Sequence, residues 1–77
     1  MAIRMAVITG YEPVDLELAY MVKWQINGSA SMAFNHSTRA GMLLLAAIAD
    51  GKATQKNAQE FIKFVGEVLY GVKPADG

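Results

Sequence analysis

The sequence contains no cysteine and only one histidine among its 77 residues. No disulfide framework, thiolate nucleophile or cysteine-based metal site can therefore form, and a zinc site would need several carboxylates. We predict no metal and no cofactor. A chain this short buries only about 60% of the surface that its unfolded form exposes. Because 53% of its residues are hydrophobic, we expect oligomerisation to use the apolar surplus.

The chain also lacks an excess of charge of either sign. Seven basic residues balance seven acidic ones, so the attraction to phosphates that supplies most non-specific nucleic-acid affinity is absent. The apolar run 41–49 is nine residues long, whereas a helix needs about 20 to span a bilayer. The apolar stretch 5–8 is too short for a signal-peptide core. We therefore expect a cytoplasmic protein with no membrane partner.

Apolar and polar residues alternate along residues 14–27. Every even position is apolar: Val14, Leu16, Leu18, Tyr20, Val22, Trp24 and Ile26. On a strand these side chains share one face, whereas on a helix they scatter. Residues 2–9 alternate in the same way, and the turn-like segment 10–13 joins the two stretches. The pattern predicts a β-hairpin with Tyr11 at its tip.

A second reversal is predicted at Asn27-Gly28, which favours a bulged hairpin loop. The third strand would cover about residues 29–35, and it is the weakest of the three because serine and alanine are poor strand residues. From there the period changes to that of a helix. Ser37 is a plausible N-cap for a helix that ends at Gly51.

The first of two predicted helices is apolar on all sides through residues 41–49, so it must be buried all round or face a partner. The second helix begins near Ala53 or Thr54 and ends at Gly71. It carries a single apolar stripe: Ala58, Phe61, Ile62, Val65, Val68, Leu69 and Val72. The sequence thus predicts an α+β fold, a three-stranded antiparallel β-meander followed by two helices packed on one face (β-β-β-α-α). Residues 1–72 would form one domain, and 73–77 a flexible tail.

No catalytic set can be assembled from the sequence. His36 has no acidic residue within fifteen positions before it or ten after it, and a capping or surface role explains it. Asp15 and Glu17 would share the solvated face of the second strand, which also carries Arg4 and Lys23. We predict that the protein is not an enzyme, and no motif of a known family can be matched residue by residue.

The sequence favours a non-enzymatic protein–protein interaction or inhibitor-type module that acts as a homo-oligomer. Its small size and surplus apolar surface are common among phage and mobile-element accessory proteins. The alternative is a small nucleic-acid-binding protein that uses the exposed sheet face. A third hypothesis is capture of a small anionic ligand by groups from neighbouring subunits. The candidate binding residues are Tyr11, Arg4, Arg39 and Lys23, since aromatic residues and arginine are enriched among binding hot spots.

Overall fold

A computed structural model describes residues 7–71, and these residues form three helices. The helices are α1 (Glu12–Ile26), α2 (Ala30–Ala49) and α3 (Gln55–Tyr70), which together hold 78% of the described residues. This part of the chain contains no strand. The predicted α+β fold with a three-stranded meander is therefore wrong. The start of its first strand and the predicted tail lie outside the described residues.

Helix α1 occupies the segment that alternates. Val14, Leu18 and Met21 are fully buried, and their spacing of four and three residues is that of one helix face. Leu16 and Ile26, which a one-sided strand would bury, are instead exposed by 42% and 78%. Most of the segment consists of good helix formers such as Leu, Glu, Ala, Met and Lys. The alternation coexists with a helical stripe, and tertiary packing uses the stripe.

The loop between α1 and α2 contains the Asn-Gly pair that predicted a hairpin. Asn27 caps the C-terminus of α1, and Gly28 follows with a φ of 83°. Left-handed backbone of this kind ends helices as well as closing hairpins, so the dipeptide alone does not distinguish the two. Ser29 is the N-cap of α2. The predicted third strand is therefore the first two turns of α2, and Ser37 lies buried inside that helix rather than at its start.

Helices α1 and α2 form an antiparallel hairpin because only residues 27–29 join them. The face of α2 that packs on α1 consists mainly of small residues, which let the two backbones approach closely. Its buried members are Ala33, Ser37, Ala40, Leu44 and Ala47. Together with the buried α1 residues they make the core of the protein.

Helix α3 is the element that the sequence predicted best. The Thr54 hydroxyl accepts a hydrogen bond from the Asn57 backbone N–H, and the Asn57 side chain accepts one from Thr54 N–H. Gly71 ends the helix with a φ of 66°. Five of the seven predicted stripe residues pack against the core, joined by Phe64. Ile62 is exposed, and Val72 lies outside the described residues. No residue of α3 is fully buried, however, so α3 covers only part of the α1–α2 hairpin.

Candidate interaction surface

The outward side of α2 exposes large apolar side chains beside α3. Met42 and Leu45 on α2 and Ile62 on α3 are each about two-thirds exposed (67%, 69% and 67%). They border a groove of about 370 Å³ between the two helices, and none of the residues that line it is charged. We call this region, comprising Thr38, Gly41, Met42, Leu45 and Ile62, the α2–α3 surface.

Gly41 is one of the residues that line this groove, and its lack of a side chain lets α3 come close to α2. A Cβ atom placed on Gly41 would lie 3.4 Å from the Phe61 ring, so α3 approaches α2 closely at this point. Met42 and Leu45 border the groove from α2, and Ile62 borders it from α3. The surface therefore combines projecting apolar side chains with a depression that can receive similar side chains.

The exposure follows from how α2 is packed. At 100° per residue, Met42, Leu45 and Ala49 point away from the buried face that contacts α1. Helix α3 covers the neighbouring side, where Phe61 lies against Gly41. A helix that is apolar on all sides thus has partners on two sides within the described residues. Exposed apolar patches of this kind mark interaction sites.

Two of the four predicted site residues, Lys23 and Arg39, are exposed on the surfaces of different helices. Arg39 is exposed on α2. Lys23 is exposed on α1, with its Nζ 6.0 Å and 5.7 Å from the ring centroids of Tyr20 and Trp24. Among residues 7–71, no hydrogen bond or ion pair joins Tyr11, Lys23 and Arg39 to one another. Arg4 lies outside the described residues.

Tyr11 does not stand at a hairpin tip. It is the N-cap residue of α1 and is half-buried against the core. Its carbonyl oxygen accepts hydrogen bonds from the N–H groups of Val14 and Asp15 at 3.1 Å and 3.0 Å. Its N–H donates to the Thr9 hydroxyl. This position gives Tyr11 a part in the structure of the helix start.

A polar cluster that the sequence did not indicate joins α1 to α2. His36 Nδ1 lies 2.6 Å from Glu17 Oε1, and the Tyr20 ring stacks on the His36 ring with centroids 5.4 Å apart. The His36 and Glu17 side chains are mostly buried, with exposures of 13% and 21%. Within the described part of the chain, no group of three metal-ligating side chains forms. The cluster holds the two helices together.

Asp15 was interpreted as a solvated strand residue, and the structure shows that this was wrong. Its buried carboxylate accepts hydrogen bonds from the N–H groups of Ile8, Thr9 and Gly10 at 3.2, 2.8 and 3.2 Å. It also accepts one from the Thr9 hydroxyl at 2.6 Å. The Asn57 amide donates to the Thr9 carbonyl, so this network ties the N-terminal segment to both α1 and α3. The fully engaged carboxylate is a structural anchor.

No helix within residues 7–71 combines the length and the apolar character needed to cross a membrane. Comparison with protein families, curated proteins and solved structures gave no match to the chain. Any functional assignment therefore rests on the α2–α3 surface itself.

Proposed function

We propose that the protein is a non-enzymatic protein–protein interaction module that acts as a homo-oligomer through its α2–α3 surface. One observation carries this proposal. Met42, Leu45 and Ile62 expose most of their side chains around a groove that no charged residue lines. Covering a surface of this composition with another protein lowers the free energy, because apolar side chains are removed from water.

The size of that gain can be worked out from the exposures. Complete burial of a Leu, Ile or Met side chain contributes roughly 1.5–3 kcal/mol, so covering one that is two-thirds exposed contributes about 1–2 kcal/mol. Three such residues in each of two subunits give about 6–12 kcal/mol, against an association cost of about 4–15 kcal/mol. The apolar contact therefore supports a reversible complex, and further contacts decide its affinity.

The alternative hypothesis, a nucleic-acid-binding protein, depended on a surface that residues 7–71 do not form. It required an exposed sheet face that carried Arg4 and Lys23, and residues 7–71 contain no sheet. The chain has no net charge, so it offers no general attraction to a phosphate backbone. The exposed feature that needs a partner is apolar, which favours a protein.

The proposal is tested by measuring the mass of the protein in solution by light scattering over a range of micromolar concentrations. We expect a mass above the 8.3 kDa of a single chain. Leu45→Lys should give a monomer because it places a charge at the centre of the surface. Ile26→Lys changes an equally exposed residue on α1 and should leave the assembly intact. A wild-type protein that stays monomeric at every concentration would contradict the proposal.

A further inference from the structure

We propose that the partner is a second copy of this chain and that the two α2 helices pack antiparallel about a two-fold axis. The axis lies between the two helices, at the level along α2 midway between residues 44 and 45. In this dimer Arg39 of each copy pairs with Asp50 of the partner subunit. The inference rests on the proposed function, to which it adds the direction and register in which the two copies pack. Three features of α2 support it.

The first feature is the position of the two charged residues. Arg39 is the only lysine, arginine, aspartate or glutamate within α2, and Asp50 is its C-cap residue. Eleven residues of helix turn through about 20° beyond three full turns and rise about 16 Å. Arg39 and Asp50 therefore lie on the same flank of the apolar face, near its two ends.

The second feature is that an antiparallel dimer brings these opposite charges together. Arg39 and Asp50 are equally far from the point between Leu44 and Leu45, one on each side of it. A two-fold axis perpendicular to both helices keeps each flank on its own side and reverses the helix direction. It therefore places Arg39 against Asp50 of the partner subunit, twice. In a parallel dimer the flank of Arg39 would instead face the uncharged groove flank of the partner.

The third feature is that the same register interleaves the apolar side chains. Thr38, Met42, Leu45 and Ala49 lie within about 60° of one another on the outward face. About this axis, Leu45 of the partner subunit falls at the level of residue 44, between Met42 and Leu45 of the first copy. Met42 of the partner subunit falls at the level of residue 47, between Leu45 and Ala49. Projecting side chains thus enter the gaps of an identical helix, as knobs enter holes.

Among residues 7–71, neither Arg39 nor Asp50 takes part in an ion pair. Asp50 stands at the C-terminal end of α2, where the helix dipole favours a cation and disfavours a carboxylate. A carboxylate in this position becomes favourable when an arginine from a partner approaches it.

The test is a charge-reversal experiment in which the dimer dissociation constant is measured by sedimentation equilibrium. Arg39→Glu alone and Asp50→Lys alone each replace two attractive pairs with two repulsive ones. We expect each to raise the dissociation constant about tenfold, since exposed ion pairs are individually weak but occur twice here. The double variant Arg39→Glu/Asp50→Lys restores opposite charges and should return the constant to within about threefold of wild type.

Lys56→Glu is the matched control, because it changes the net charge by the same amount as Arg39→Glu but lies in the first turn of α3. It should leave the dissociation constant within about twofold of wild type. If Leu45→Lys disrupted the dimer but neither charge reversal changed the dissociation constant, this geometry would be wrong and the proposed function would stand. A double variant as weak as the single variants would lead to the same conclusion. A monomeric wild-type protein would overturn both proposals.

Discussion

Asp15 is the residue whose substitution tests the structure of the subunit most severely. Its carboxylate accepts four hydrogen bonds, from three consecutive backbone N–H groups and from the Thr9 hydroxyl. Asp15→Ala leaves these donors without their acceptor at a site where Asp15 itself is only 4% exposed. Each hydrogen bond to a charged group contributes roughly 1.5–3 kcal/mol, and the two bonds from Thr9 are the buried ones. We expect the free energy of unfolding to fall by about 3–5 kcal/mol.

Asp15→Asn keeps the size of the side chain and changes only its charge and its hydrogen-bonding groups. The amide retains one acceptor oxygen, but its NH₂ group then faces N–H donors. The expected loss is about 2–3 kcal/mol, smaller than for alanine because part of the network survives. Glu12→Ala is the matched control, since Glu12 is an exposed acid in the same first turn. It should cost at most about 1 kcal/mol, the contribution of the helix dipole.

The measurement is urea unfolding followed by circular dichroism, at one fixed protein concentration because assembly contributes to apparent stability. If Asp15→Ala and Glu12→Ala destabilised the protein equally, the carboxylate would have no special role. The anchoring of residues 8–10 onto α1 would then be wrong.

Two further predictions concern the α1–α2 hairpin. Leu18→Ala should lower the free energy of unfolding by about 2–5 kcal/mol because Leu18 is fully buried, whereas Leu16→Ala should lower it by about 1 kcal/mol because Leu16 is 42% exposed. Equal losses in the same unfolding assay would indicate that the two side chains share a face, as they do on a strand. The Glu17–His36 contact should give a coupling energy of at least about 0.5 kcal/mol in a double-mutant cycle of Glu17→Gln and His36→Ala. Additive effects of the two substitutions would show that the 2.6 Å contact does not link the helices.

The sequence was sufficient where local signals have one interpretation. The start of α3 near Thr54, its end at Gly71 and most of its apolar stripe were predicted, because helix ends and a period of 3.6 residues are local properties. Gly51 was likewise predicted as the stop of the preceding helix, and its φ is 74°. The expectation that residues 41–49 face a partner depends on the same kind of pattern, and the exposure of Met42 and Leu45 is consistent with it.

The sequence was insufficient where one pattern satisfies two structures. Val14, Leu18 and Val22 belong to the alternation of a strand and also to the stripe of a helix, and the helix propensity of the intervening residues decided the outcome. The first hairpin was predicted from two alternating stretches joined by the turn-like segment 10–13, although Pro13 suits the first turn of a helix equally well. Once α1 was taken for a strand, Asn27-Gly28 and the residues after it were misassigned as well.

The polar contacts could not be predicted from spacing along the chain. Glu17 and His36 are nineteen residues apart, and only the antiparallel hairpin brings them together. The Asp15 carboxylate is hydrogen-bonded by residues 8–10, just before its own helix, and a strand assignment does not predict this contact. Such contacts depend on the fold, so none of them can be predicted once the first element has been assigned wrongly.

The central claim is that the outward face of α2 meets the same face of a second copy, and cysteine cross-linking tests it most directly. The natural chain has no cysteine, so Leu45→Cys introduces a single thiol next to the proposed two-fold axis. We expect mild oxidation to convert most of Leu45→Cys into a disulfide-linked dimer, since the proposed antiparallel packing places the two Cβ atoms within the short range that a disulfide requires. Ile26→Cys, which is as exposed but lies on α1, should remain monomeric on a non-reducing gel. Equal cross-linking of the two variants, or none of Leu45→Cys, would contradict the account.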